Sequence, residues 1–164
     1  MAKWGDFDYQ QWKRIKAKIE RLSSVDYKFF CEECAKELAA RLLAKVIKRT
    51  PVGDYPKSSG KKGGTLRRGW TAKGEEEAQS GKNTNAKQWA NTLTITKIGN
   101  TYKIEIINPV SYASYVEYGH RTKNHKGWVK GKFMLTISEQ EVETIAPKLL
   151  EQKLLKYLGE CFDD

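Results

Sequence analysis

The chain has 164 residues with 39% hydrophobic content, enough for one domain with a packed core and too short for two of ordinary size. Its 30 Lys and Arg against 20 Asp and Glu leave a formal charge of +10, which favours polyanions without identifying one, and no apolar window reaches the roughly 18 residues of a membrane span. Cys31, Cys34 and Cys161 are an odd set, and the opening MAKWGDFDYQQWKR has no apolar run of signal length, so the expectation is free thiols in a soluble protein made in a cytoplasm.

A single domain is expected over residues 1–164, with no internal repeat. Over 8–22, Tyr9, Trp12, Ile15, Ile19 and Leu22 recur at three- and four-residue steps, one face of an amphipathic helix. Ser23 and Ser24 break it. A scaffold helix follows over 26–49, capped by Ser24 or Asp26, with Phe30, Cys34, Leu38, Leu42 and Val46 as its apolar stripe. Residues 50–89 are rich in Gly, Ser, Lys and Asn and show no apolar period, which reads as an extended basic loop. From Lys57 to Lys87, eight Lys and Arg stand against three Glu, a local +5. Within this loop TLRRGW fits a short edge strand, because Leu66 and Trp70 share one face of a period-two pattern.

Residues 90–107 read as a β-hairpin. Leu93 and Ile95 alternate with threonines, Gly99-Asn100 supplies the turn, and Tyr102, Ile104 and Ile106 alternate with Lys103 and Glu105. Asn108-Pro109 ends the run, because proline cannot donate to a ladder. Tyr112, Tyr115, Val116 and Gly119 fit a short helix opened by Ser111 and closed by Gly119, and a third strand runs through KGWVKGKFML. The last helix, 138–158, opens on a capping box of Ser138 and Glu141, and Pro147 is expected to kink or split it. The fold class is α+β: an antiparallel sheet of three to four strands packed against two long helices, with an N-terminal helix and a long basic loop.

The chemical motifs are few. Cys31 and Cys34 form a CxxC that His120 and His125 complete as a zinc set only on paper, because some 85 residues separate the pairs and Cys34 lies on the apolar stripe. No GxSxG, HExxH, Walker loop or GxGxxG is present, so no enzyme, no cofactor and no metal is expected. Glu117 beside His120 and Arg121 suggests an acid-base set, as in a nuclease, yet such helical spacings are those of routine surface ion pairs. The basic loop, with Trp70 and Trp89, fits either phosphate contact and base stacking or an arm that orders against a neighbouring subunit.

Several separated blocks coincide with one family. Arg49-Thr50-Pro51-Val52, then Thr65-Leu66-Arg67-Arg68-Gly69-Trp70, then Asn108-Pro109-Val110 running through Tyr112-Ala113-Ser114-Tyr115-Val116-Glu117-Tyr118-Gly119-His120-Arg121, and Trp128-Val129 with Gly131 and Phe133-Met134-Leu135, resemble the neck or tail-completion proteins of long-tailed double-stranded DNA phages and prophages. The order and spacing match over roughly residues 30–158. The departure is an insertion, GDYPKSSGKKGG, where such proteins carry a tight turn.

The resemblance implies a non-enzymatic structural subunit, in a hexameric ring at the neck or tail end of the virion, assembled in the host cytoplasm. Such a ring completes the tail or joins it to the head connector and leaves a channel for DNA. Its partners would be further copies of itself, the tail tube or terminator, the head connector and passing genomic DNA, with no membrane. Tyr112, Tyr115, Glu117, Tyr118, His120, Arg121 and Trp128 are then expected at the subunit interface, and Lys57, Lys61, Lys62, Arg67, Arg68 and Lys73 at DNA or partner contacts. A different reading is a nucleic-acid-binding protein without sequence preference that acts through the basic loop.

Overall fold

From Val25 to Arg49 the sequence holds neither glycine nor proline, and Thr50 precedes a proline that disfavours helical backbone before it. In a computed structural model, which describes residues 9–22 and 25–162 and the side chains of 13–20 and 26–162, this stretch forms one 25-residue helix, α2. It follows α1 (Tyr9–Leu22) and packs against the last helix, α7 (Met134–Phe162). Ser23, Ser24 and the side chains of Tyr9, Trp12 and Leu22 lie outside the described residues. Asp26 sits within the first turn of α2 rather than ahead of it.

The buried line of α2 differs from the expected stripe. Ala39, Leu43, Val46 and Thr50 face the core, whereas Leu38 and Leu42 are half-buried. A strict four-residue step advances about 400°, so it drifts about 40° around the helix each time. Steps of four, three and four keep to one side. Phe30 belongs to a different contact, stacking on Tyr157 of α7 with ring centroids 4.6 Å apart.

Residues 50–89 are largely folded, which corrects the expectation of an extended loop. A 3-10 turn (Lys57–Ser59) is followed by α3 (Thr65–Gly69), α4 (Glu75–Gln79) and α5 (Ala86–Thr92). Leu66, Trp70, Ala72, Ala78 and Ala90 join the core with Ala39, Leu43, Val46, Val110 and Met134. Apart from Leu66 and Trp70, those of this segment are isolated alanines on or beside short elements, too sparse to show a period. The longest stretch exposed throughout is 51–62. TLRRGW is helical, not an edge strand. Leu66 and Trp70 are four apart, a spacing that puts them on one side of a helix as well as one side of a strand.

Two separate antiparallel pairs replace the expected single sheet of three to four strands. β1 (Ile95–Ile98) pairs with β2 (Thr101–Ile104) across Gly99-Asn100, and β3 (Gly119–Arg121) pairs with β4 (Trp128–Lys130). The segment expected as a third strand finds its partner just upstream, across a short tip. Asn108-Pro109 and α6 (Ala113–Tyr118) stand between the two pairs.

The last helix starts at Met134, not Ser138. The capping box does not form: Ser138 Oγ donates to Met134 O at 2.6 Å inside the helix, and Glu141 reaches across to Lys45 and Arg49 of α2. Pro147 lies within the helix, which is not split.

Two carboxylates tie α7 to α2, and they give the fold an acid sensitivity. Lys153 donates to Glu37 at 2.6 Å, and this bond, with that from Arg41, holds Glu37 below the ordinary carboxylate range. Lys45 and Arg49 do the same to Glu141. Depressed carboxyl groups bind fewer protons folded than unfolded, so their stabilisation is present above the unfolded value of about 4.3 and is lost as pH falls through the lower folded values. The urea midpoint is expected to drop from pH 5 to pH 3, and the double variant E37Q/E141Q to drop less. Identical pH profiles would overturn this assignment.

Candidate assembly surface

The end of α2 meets α3 in a closed hydrogen-bonded junction. Thr50 is fully buried; its Oγ1 donates to Val46 O at 2.6 Å and accepts from Trp70 Nε1 at 2.8 Å. Its carbonyl, freed by the end of the helix, accepts both Arg67 Nε at 3.0 Å and Nη2 at 2.6 Å. A fork of two parallel donors on one carbonyl fixes direction as well as distance. Arg68 turns the other way and donates to Ala78 O at 2.8 Å, which anchors α4. Arg67 and Arg68, expected to meet DNA or a partner, are therefore internal anchors. Their basic character in the sequence gave no hint of this.

The Asn108-Pro109-Val110 segment closes over α3. Asn108 Nδ2 donates to Leu66 O at 2.9 Å, and its Oδ1 accepts from Val110 N at 3.2 Å. Gly69 lets it approach, since a β-carbon there would lie 2.2 Å from Asn108 Oδ1. Ser111 does not cap α6; its N–H donates to Glu75 Oε2 at 3.0 Å.

Glu117, expected at the subunit interface, has its carboxylate turned inward. It is 5% exposed and caps α7: Oε2 accepts from Leu135 N, and Oε1 from both Thr136 N and Thr136 Oγ1, at 3.0, 3.0 and 2.8 Å. A carboxylate on the free amides of a 29-residue helix satisfies two orphan donors and complements the helix dipole. Both oxygens are thus engaged inward, away from a neighbour's surface. Its pairing with His120 and Arg121 in an acid-base set does not form either. His120 instead has Nδ1 3.5 Å from Tyr115 O and its ring edge-on to Tyr115 at 5.9 Å.

The tyrosines around it point outward. Tyr112, Tyr115 and Tyr118 on and beside α6 are 41%, 58% and 62% exposed. Tyr112 borders a cleft of about 240 Å³ with Pro51, Val52, Tyr55, Leu66 and Val116, and partial burial there, with Tyr55 and Glu75 adding, pushes its hydroxyl pKa up. Val52 and Tyr55 are exposed in turn, so the apolar face runs from the 51–62 segment across α6. Trp128, Val129 and Arg121 lie exposed on the β3–β4 ribbon.

A family model described as "Bacteriophage HK97-gp10, putative tail-component" matches residues 13–119, well over half of the chain. The chain belongs to this HK97-gp10-like family. The matched span contains Thr50, Arg67, Trp70, Asn108 and Glu117, whose contacts form the junction and the cap. Neither the curated proteins nor the solved structures hold a match. Membership puts the chain among phage tail components, hence with the virion.

The remaining sequence candidates scatter within the HK97-gp10-like fold. Lys57, Lys61 and Lys62 stay on the exposed 51–62 segment, Lys61 with its ammonium 6.0 Å from the Tyr55 ring. Lys73 is exposed beside α4, its backbone N–H donating to Glu77 Oε2 at 2.8 Å. Cys31, Cys34 and Cys161 are free thiols, and burial pushes Cys34 upward in pKa. Among the described residues no group of three or more His, Cys, Asp and Glu stands together to hold a metal ion, and no helix is long and apolar enough to cross a membrane.

Proposed function

We propose that this chain is a structural subunit of a ring at the phage neck or tail end, a hexamer that completes the tail or joins it to the head connector and leaves a channel for DNA. The observation that carries the reading is the outward tyrosine face of Tyr112, Tyr115 and Tyr118, continuous with Val52 and Tyr55, on a backbone locked from below by Glu117. Large aromatic rings give contact area at little entropy cost, and they lose most when desolvated at the centre of an interface. A rigid base spares the further cost of ordering the surface on binding.

Light scattering on the purified chain, alone and mixed with its tail-tube and connector partners, tests this together with electron micrographs of the same samples. Rings, or loading onto tail ends, are expected. The variant Y115S/Y118S should weaken that association by roughly 30-fold, the equivalent of about 2 kcal/mol for a central aromatic pair, while keeping the thermal midpoint of the wild type. A chain that stays monomeric and ignores tails and connectors would sink the reading.

A further inference from the structure

The β3–β4 ribbon, apart from its first residue Gly119, lies beyond the residues that match the family model, and its charge is one-sided. Between Glu117 and Glu139 the sequence contains no carboxylate, yet it holds Arg121, Lys123, Lys126, Lys130 and Lys132 together with His120 and His125. Glu117 itself is turned into the α7 cap. All five cations are exposed, and among the described residues none of them forms an ion pair. In the 50–89 segment Arg67 and Arg68 are consumed internally, and the exposed Lys57, Lys61, Lys62, Lys73, Lys82 and Lys87 share the chain with Asp54, Glu75, Glu76 and Glu77.

The ribbon is also built to present its charge. Arg121 stands opposite Trp128 and Gly119 opposite Lys130, so the alternation of a strand puts Arg121, Trp128 and Lys130 on one face, with His120 and Val129 on the other. Trp128 is 62% exposed, and its indole lies back over Gly119, where a β-carbon would come 2.9 Å from Nε1. The ring is therefore largely in solvent, on the strand face it shares with Arg121 and Lys130. At the tip, the amides of Thr122, His125 and Gly127 donate to Gly127 O, Thr122 O and Thr122 Oγ1 at 3.0, 2.8 and 3.0 Å. These bonds hold the turn closed, while the side chains of Lys123 and Lys126 remain in solvent. At the base, Lys132 N and Phe133 N donate to Val116 O and Glu117 O at 2.8 and 3.0 Å, which roots the ribbon on α6.

We propose that this ribbon contacts the sugar-phosphate backbone of DNA, its cations on phosphates and Trp128 on an exposed sugar or base. A protein surface is recognised in register by paired charges of both signs, and this face offers one sign only. A nucleic-acid backbone is a uniform line of negative charge, and contacts to it need no register. An exposed tryptophan beside basic residues lets any base stack without sequence preference. The contact does not depend on ring formation, and it places the DNA contact on the ribbon rather than on the 51–62 segment.

Fluorescence anisotropy of a labelled duplex and a labelled single strand, titrated with the full chain over a salt series, tests it. The variant K123Q/K126Q/K130Q is expected to lower the slope of log affinity against log salt on the duplex by about 2 to 3, each phosphate contact contributing roughly 0.9. W128A should weaken single-strand binding by about tenfold. K57Q/K61Q/K62Q is expected to leave the slope within 1 of the wild type. An unchanged slope in the ribbon variant, or a loss confined to the 57–62 variant, would overturn the proposal. So would a ribbon variant that keeps its DNA affinity and instead loses binding to tail proteins, since the ribbon would then serve an acidic protein surface. Light scattering on each variant keeps this outcome separate from that of the ring.

Discussion

Replacing Trp70 with alanine is expected to cost the fold about 3–5 kcal/mol, the range for removing a large aromatic from a packed core. The ring is 4% exposed and lies among core residues contributed by α2, the 50–89 segment and α7. The loss is larger than volume alone, because Trp70 Nε1 is the donor on Thr50 Oγ1, and Thr50 is where α2 ends and Arg67 attaches. Urea unfolding followed by circular dichroism gives the number, with an unchanged slope as the sign that the same surface is exposed. Trp70→Phe separates the two contributions. It keeps most of the ring but leaves the hydroxyl without its donor, for an expected cost of about 1–3 kcal/mol. A double-mutant cycle with Thr50→Val should then be non-additive, because either change breaks the same bond. An additive cycle, or an alanine variant within 1 kcal/mol of the wild type, would mean that the junction does not hold α2 to α3.

That junction shows what can be read from a sequence and what cannot. The scaffold helix and the first hairpin announce themselves through uninterrupted helix formers and through alternation around Gly99-Asn100, and the last helix through its apolar period despite Pro147. The blocks ending in Trp70 and beginning at Asn108 are visible as patterns, but their meaning is tertiary. Nothing in the type of Arg67 distinguishes a guanidinium that meets phosphate from one that closes a helix end 17 residues away. The same ambiguity produced the misplaced strand at TLRRGW, since a four-residue spacing satisfies both periods. Gly64, at φ +95° just ahead of α3, is the local sign of a helix start that the alternation argument passed over. The single sheet failed for another reason: pairing partners are chosen by proximity in the fold, and the tip of Thr122–Gly127 brings β4 to β3 before β1 or β2 is in reach.

Glu117→Ala is expected to destabilise the protein by about 2–3 kcal/mol, although the residue sits in a run of tyrosines that reads as contact surface. The substitution strips a buried charged acceptor from two helix-terminal amides and one hydroxyl, and hydrogen bonds to charged groups are worth about 1.5–3 kcal/mol. Water does not easily replace it, because Glu117 is nearly sealed and the Gly131 backbone packs against its carbonyl, where a β-carbon would come within 2.2 Å. Glu117→Gln keeps one carbonyl acceptor but turns an amide donor toward another donor, so its stability should fall between wild type and alanine. Thermal melts of the three proteins give the order, and amide hydrogen exchange at Leu135 and Thr136 gives the location. Faster exchange confined to the start of α7 would establish the cap. If the alanine variant instead melts with the wild type and fails only to associate, Glu117 acts on a neighbour, and its inward geometry is not the one that matters. The distinction reaches the function directly. A cap that fixes α6 to α7 is what allows three exposed tyrosines to stand as a rigid face, and a loosened face would bind weakly even with every tyrosine in place.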